Sequence, residues 1–142
     1  MTTTTPIQGG CACGRVRYEL RSQPFDTGYC HCRICQRISG APALVFTTVP
    51  LEDFVVIEGR ELVRAYASTT FGERQFCSAC GTPLTIHVQY QADTIDVTVA
   101  TLDHPEALAP GYHIYNASRI PWFDTADSLP RHAALRPETR GL

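Results

Sequence analysis

The sequence contains no lysine: all twelve of its basic residues are arginine, planar forks suited to carboxylates and phosphates. The composition of the source genome accounts for such a bias without invoking function. An excess of either charge is also missing, with twelve bases against fourteen acids, a formal charge of -2 and a pI near 6.2. No surplus of cations is left to neutralise a phosphate backbone or an anionic bilayer, which argues against nucleic acid and membrane surfaces as partners. No apolar run approaches the roughly 20 residues of a membrane span. The opening stretch, Met1 to Gly10, has neither the basic nor the apolar region of a secretory signal, so a cytoplasmic protein is expected.

What is present is cysteine. Seven occur in three tight groups: Cys11 and Cys13; Cys30, Cys32 and Cys35; Cys77 and Cys80. An odd number cannot all pair within one chain, and a reducing compartment disfavours structural disulfides, so metal binding is the leading explanation.

At 142 residues, 44% of them hydrophobic, the chain has the size of one compact domain, 1–142. Residues 1–9 are polar, threonine-rich and unpatterned, and are expected to fray. From Val16 to Leu20 apolar and charged residues alternate with the period of a strand that has one wet face. Similar runs recur at Ala43–Val49, Phe54–Ile57, Leu62–Ala67, Leu84–Val88 and Thr94–Thr101. Turn residues separate them, with spacing that suits hairpins better than crossover helices, so the chain reads as mainly β. Helical signal is confined to a turn after Cys32 and another at Asp103–Leu108. Beyond Asp124 the periodicity fades, and 124–142 reads as a surface tail around a core of about 8–123.

Cys77-Ser-Ala-Cys80-Gly81 has the form of a zinc knuckle, in which backbone N–H groups of a tight turn point at the sulfurs and Gly takes positive φ where the chain leaves. Cys11-Ala-Cys13-Gly14 repeats the arrangement, and together the two groups close a four-thiolate structural site. Cys30, Cys32 and Cys35 have no eighth cysteine to complete their shell, and three ligands with an open position is the layout of a catalytic or substrate-binding zinc. His31 is a poor fourth ligand because adjacent side chains diverge. Two zinc ions are the leading reading; one structural zinc with three spare redox thiols is the alternative.

Three segments carry a resemblance: Gly9-Gly10-Cys11-Ala-Cys13-Gly14 through Tyr18, Cys30-His31-Cys32-Arg-Ile-Cys35-Gln36 through Pro42, and Phe76-Cys77-Ser-Ala-Cys80-Gly81-Thr82-Pro83-Leu84. Near the C-terminus, Tyr112-His113-Ile114-Tyr115 and Ser118-Arg119-Ile-Pro-Trp122 complete it. In unbroken order over about 8–123 the chain resembles the glutathione-dependent formaldehyde-activating enzymes and their relatives, including centromere protein V. The resemblance implies a zinc-stabilised β-tent fold of short antiparallel strands in layered sheets. It also implies a structural zinc on Cys11, Cys13, Cys77 and Cys80 and a catalytic zinc on Cys30, Cys32 and Cys35, the same partition that ligand counting reaches. The implied activity is a carbon-sulfur lyase or synthase joining formaldehyde to glutathione as an S-hydroxymethyl adduct, with glutathione as co-substrate.

A non-catalytic zinc module that binds a partner is the alternative; the open three-cysteine site favours the enzyme. Arg33, Gln36, Arg37, Ser39 and Arg119 are candidate contacts to glutathione, the arginines through its carboxylates. His113 is a candidate for moving the alkoxide proton or else a packed strand residue, and Trp122 reads as a core or pocket-wall aromatic.

Overall fold

A computed structural model describes residues 5–136. Residues 1–4 and 137–142, which include most of the threonine run and the end of the tail, lie outside the described residues.

The chain is mainly β, as read. Among the described residues ten strands run in the order β1 (Ile7–Gly10), β2 (Arg17–Leu20), β3 (Phe25–Cys30), β4 (Leu44–Pro50), β5 (Phe54–Glu58), β6 (Val63–Thr69), β7 (Gly72–Cys77), β8 (Pro83–Val88), β9 (Thr94–Thr98) and β10 (His113–Ile114). Helix α1 (Arg33–Ser39) interrupts them between β3 and β4. The expected helical turn at Asp103–Leu108 is a 3-10 turn at Pro105–Ala107. The strands form a three-stranded sheet, β1-β2-β5, and a seven-stranded sheet, β10-β3-β4-β9-β8-β7-β6. Among the described residues every strand-to-strand pairing is antiparallel except β10 with β3, which run parallel. Among the described residues no helix is long and apolar enough to cross a membrane.

One expectation needs correction. Ile7–Gly10 is a strand, not frayed chain: it pairs with β2, and its Gly9 has no room for a side chain because Tyr18 and the Thr101 carbonyl press on it. The described tail, 124–136, has no buried residue and is fastened along the sheet edge. His113 N–H donates to Pro130 O at 2.8 Å, His132 N–H to His113 O at 2.9 Å and Tyr115 N–H to Ala134 O at 3.0 Å, so residues 130–134 run beside β10 and extend the sheet edge.

The period of two gives the large sheet two different faces. On one, Val49, Ile95 and Val97 meet Tyr18, Leu20 and Phe54 of the small sheet in the main core, with Leu84 and Leu102. On the other, one cross-strand row runs from Arg74 on β7 through Ile86 and Asp96 to Thr48 on β4. Beside that row Cys30, Phe46, Tyr112 and Ile114 gather into a second cluster with Cys35. Apolar residues dominate the first face where the two sheets meet, and the second carries Arg74 and Asp96.

Candidate functional site

The four-cysteine group is built by two turns of the same design. Gly14 N–H donates to Cys11 O at 3.1 Å and Gly81 N–H to Cys77 O at 2.7 Å, and both glycines take positive φ, +79° and +82°. Val16 N–H donates to Cys11 Sγ at 3.3 Å. Thr82 couples the turns: Ala12 N–H donates to its hydroxyl at 3.0 Å, and that hydroxyl lies 3.1 Å from Cys80 Sγ. Hydrogen bonding from Thr82 pulls the Cys80 thiol down to about 5. The four sulfurs lie within 4.8 Å of one another, with Cys11 to Cys13 at 3.5 Å and Cys13 to Cys77 at 3.9 Å. Sulfurs about 2.3 Å from a tetrahedral zinc stand about 3.8 Å apart, so the group fits that ion. Cys11 and Cys77 are buried; Cys13 and Cys80 are exposed.

The three-cysteine group is assembled from a strand end and a helix start. Cys30 closes β3, Cys32 caps α1 by accepting from Cys35 N–H at 3.3 Å, and Cys35 lies in the first turn. Cys30 and Cys35 sulfurs are 3.2 Å apart and all three are within 4.8 Å. Their protons are shared unequally. Hydrogen bonds from Cys30 and then Cys35 hold the Cys32 thiol down at about 2, while the same contacts push Cys30 far up. Such a cluster can carry three thiolates only beside a cation, which a soft divalent metal supplies. Both cysteine groups can therefore hold metal ions.

The three-cysteine group opens onto a cavity of about 200 Å³ on the second face of the large sheet. Its walls are largely apolar, with Phe46, Phe71, Ile86, Tyr90, Tyr112 and Ile114 among them, and Arg74, Asp26, Asp96 and Arg136 are set into them. Arg74 is 8% exposed; its Nη2 donates to Cys35 Sγ at 3.4 Å, and its Nη1 is buried with no hydrogen-bond partner among the described residues. Arg136, on the tail, pairs with Asp26 and lies 4.6 Å above the Tyr112 ring. Tyr112 in turn packs on Gly28, where an added Cβ would come within 2.6 Å of its ring, and donates to Asp26 O at 2.9 Å.

None of the five candidate glutathione contacts is among the residues lining this cavity. Arg33 donates to Gln36, and buried Gln36 donates to the carbonyls of His31 and Ser118 at 2.8 and 3.2 Å. Ser39 donates to Cys35 O at 2.6 Å near the end of α1. Arg119 gathers the carbonyls of Ile120, Pro121 and Phe123. Arg37 is exposed on α1.

His31 turns from the cysteines, as expected. Its Nε2 is 2.8 Å from His113 Nδ1, and His113 Nε2 is 3.2 Å from both Asp127 carboxylate oxygens. Both imidazoles are fully buried, so His113 is the packed residue of its two readings, stacked on Tyr29 at 4.5 Å. Burial lowers His31 to about 4, which keeps it neutral. Trp122 is a correction: it is 75% exposed, because the loop folded around Arg119 turns Phe123 inward toward His31 instead.

Arg74, Asp96 and Arg136 are absent from the sequence-based candidates. Asp96 carried a signal, since a carboxylate in the middle of the β-branched run Thr94-Ile-Asp-Val-Thr98 is against strand preference.

Residues 6–118 match the family model described as glutathione-dependent formaldehyde-activating enzyme. A Halomonas elongata protein provisionally named glutathione-dependent formaldehyde-activating enzyme is 32% identical over 84 residues, covering 55% of this chain and 54% of the relative. An uncharacterised lyase of Schizosaccharomyces pombe is 30% identical over 77 residues, covering 54% of each. The chain thus spans about half the length of the curated relatives it matches. A Rhodobacter sphaeroides protein of known crystal structure superposes with a TM-score of 0.56 at 26% identity, over 68% of this chain and 87% of that one.

Proposed function

The chain belongs to the glutathione-dependent formaldehyde-activating enzyme family, and from that membership we propose that it is a zinc-dependent carbon-sulfur lyase acting in the cytoplasm as one domain. It joins the thiol of glutathione or a similar small thiol to a small aldehyde, formaldehyde being the simplest, and cleaves the same adduct. The observation that carries this reading is the three-cysteine group opening onto a cavity while the four-cysteine group is complete in itself.

In the proposal Cys11, Cys13, Cys77 and Cys80 hold a structural zinc, and Cys30, Cys32 and Cys35 hold a second. Bound there, zinc would lower the pKa of an incoming thiol and hold its sulfur. The chain's residues do the rest. Arg74, donating to Cys35 Sγ, offsets the negative charge that three thiolates bring to a buried place. Phe46, Ile86 and Ile114 exclude water from the space beside the sulfurs, which strengthens every charge interaction there. In the reaction the C–S bond forms, the π pair of the carbonyl moves to its oxygen, and a proton completes the hydroxyl. The cavity face, with Arg74 and Arg136 as its cations, replaces the five helix and loop residues as the proposed glutathione-binding surface.

Calorimetry with glutathione and with S-methylglutathione tests the reading. Binding of the first and at least a tenfold weaker affinity for the second is expected; equal affinities would place the ligand away from the three-cysteine group.

A further inference from the structure

We propose that Asp96 gives the carbonyl oxygen of the aldehyde its proton, and takes it back in the reverse reaction, while Arg74 Nη1 holds that oxygen. The proposal rests on the lyase reading and adds the acid-base group that reading leaves unassigned.

Asp96 and Arg74 share one face of one sheet. Arg74 pairs in register with Ile86, and Ile86 with Asp96, so the two ionisable side chains flank a single apolar one across three strands. Both line the cavity that holds the cysteine sulfurs. The Asp96 carboxyl is held from the far side, where the buried Thr48 hydroxyl donates to its Oδ1 at 2.7 Å. Arg74 is anchored through Nη2 to Cys35, and its Nη1 is a buried donor with no hydrogen-bond partner among the described residues, on a residue that lines the cavity. Burying a guanidinium N–H without an acceptor is costly, and an oxygen that becomes negative during reaction is the acceptor this geometry awaits.

The other titratable groups on the wall are less suited. Asp26 is paired with Arg136. Burial pushes Tyr90, Tyr112 and Tyr115 upward, away from exchange at neutral pH. Asp96 is raised to about 7 by burial; Asp26 on β3 adds to the rise, and the Thr48 hydroxyl, Arg74 on β7 and His87 on β8 oppose it. A carboxyl near 7 exchanges protons in both directions at neutral pH, which a reversible addition requires.

The step balances. As the thiolate sulfur bonds to the carbonyl carbon, the π pair of C=O becomes an oxygen lone pair, Arg74 Nη1 stabilises it, and the Asp96 proton converts it to hydroxyl. The proton that the incoming thiol lost returns to Asp96 through solvent, and the reverse sequence cleaves the adduct.

The test pairs a titration with kinetics on the zinc-loaded protein. Carbon-13 NMR of the aspartate carboxyls, with Asp96 assigned by its absence in Asp96→Asn, should show a midpoint near 7. Adduct formation from formaldehyde and glutathione should bend over the same pH range in the wild type. Asp96→Asn should lose about 100-fold in kcat or more together with that limb, while zinc content stays unchanged. Thr48→Val, which removes the hydrogen bond to the carboxylate, should move the limb to higher pH, and Arg74→Gln should lower kcat with the Asp96 limb retained. A midpoint near 4, or an active wild type whose Asp96→Asn variant keeps both rate and limb, would overturn this proposal alone. A zinc-loaded wild type that makes no adduct above the spontaneous rate would overturn the lyase reading and this proposal with it.

Discussion

Asp96 shows how one residue reads out the two faces of the large sheet. Its neighbours Ile95 and Val97 belong to the main core, whereas its own carboxyl faces the cavity, where burial raises it to about 7. An unfolded aspartate titrates near 3.9, so between about pH 4 and 7 the folded chain binds a proton that the unfolded chain lacks. That difference makes stability fall as pH rises through this window, and the whole cost is present above 7. Asp96→Asn should therefore raise Tm clearly at pH 8 and hardly at pH 4, a difference of differences that thermal unfolding at the two pH values will measure. Gly28 makes a second prediction at this scale. A Cβ there meets the Tyr112 ring at 2.6 Å, so Gly28→Ala should displace the ring, cost about 1–3 kcal/mol in denaturant unfolding and weaken thiol binding.

At the scale of elements, legibility followed period. Strands β2, β4, β5, β6, β8 and β9 alternate, and the runs in the sequence fall on them within a few residues. Strands β1, β3, β7 and β10 did not announce themselves, each for its own reason. Ile-Gln-Gly-Gly has no apolar alternation, and β3 is interrupted where its register shifts between Phe25 and Gly28, with Asp26 at φ +60°. Strand β7 is polar: Glu73 is exposed on it, and Arg74 lines the cavity. Strand β10 is two residues in parallel contact with β3, a pairing that only tertiary structure selects and that hairpin spacing does not foresee. The cysteine groups were legible because metal-ligand spacing is local; the cavity was not, because its charges come from β3, β7, β9 and the tail.

The tail's attachment is testable as an element. The Thr125 hydroxyl, then the Leu129 amide and His113, hold Asp127 down at about 2, and Arg131 joins the same carboxylate. Asp127→Ala should free 125–136, speeding tryptic cleavage at Arg131 several-fold. Thiol affinity should drop with it, since Leu135 and Arg136 are cavity walls. Unchanged cleavage would mean that the backbone bonds to β10 hold the tail by themselves.

On the proposed reading, the two cysteine groups divide the labour at the scale of the whole molecule. The four-cysteine group ties the turn before β2 to the turn before β8, segments more than sixty residues apart, whereas the other group closes on six residues. In small metal-dependent domains a structural zinc contributes on the order of 10 kcal/mol to folding, so Cys77→Ser should be insoluble or largely unfolded by circular dichroism. Cys32→Ser loosens only a short loop and should stay folded with one zinc fewer and no adduct formation. If both variants unfold alike, the three-cysteine group is structural and the reading as a binding module gains.

Zinc X-ray absorption on protein loaded with two equivalents of zinc, recorded before and after saturating glutathione, tests the central claim most directly. If the three-cysteine group offers its open position to a thiol, the mean number of sulfur neighbours per zinc rises with glutathione and stays constant with S-methylglutathione. A sulfur count that glutathione leaves unchanged would contradict the account.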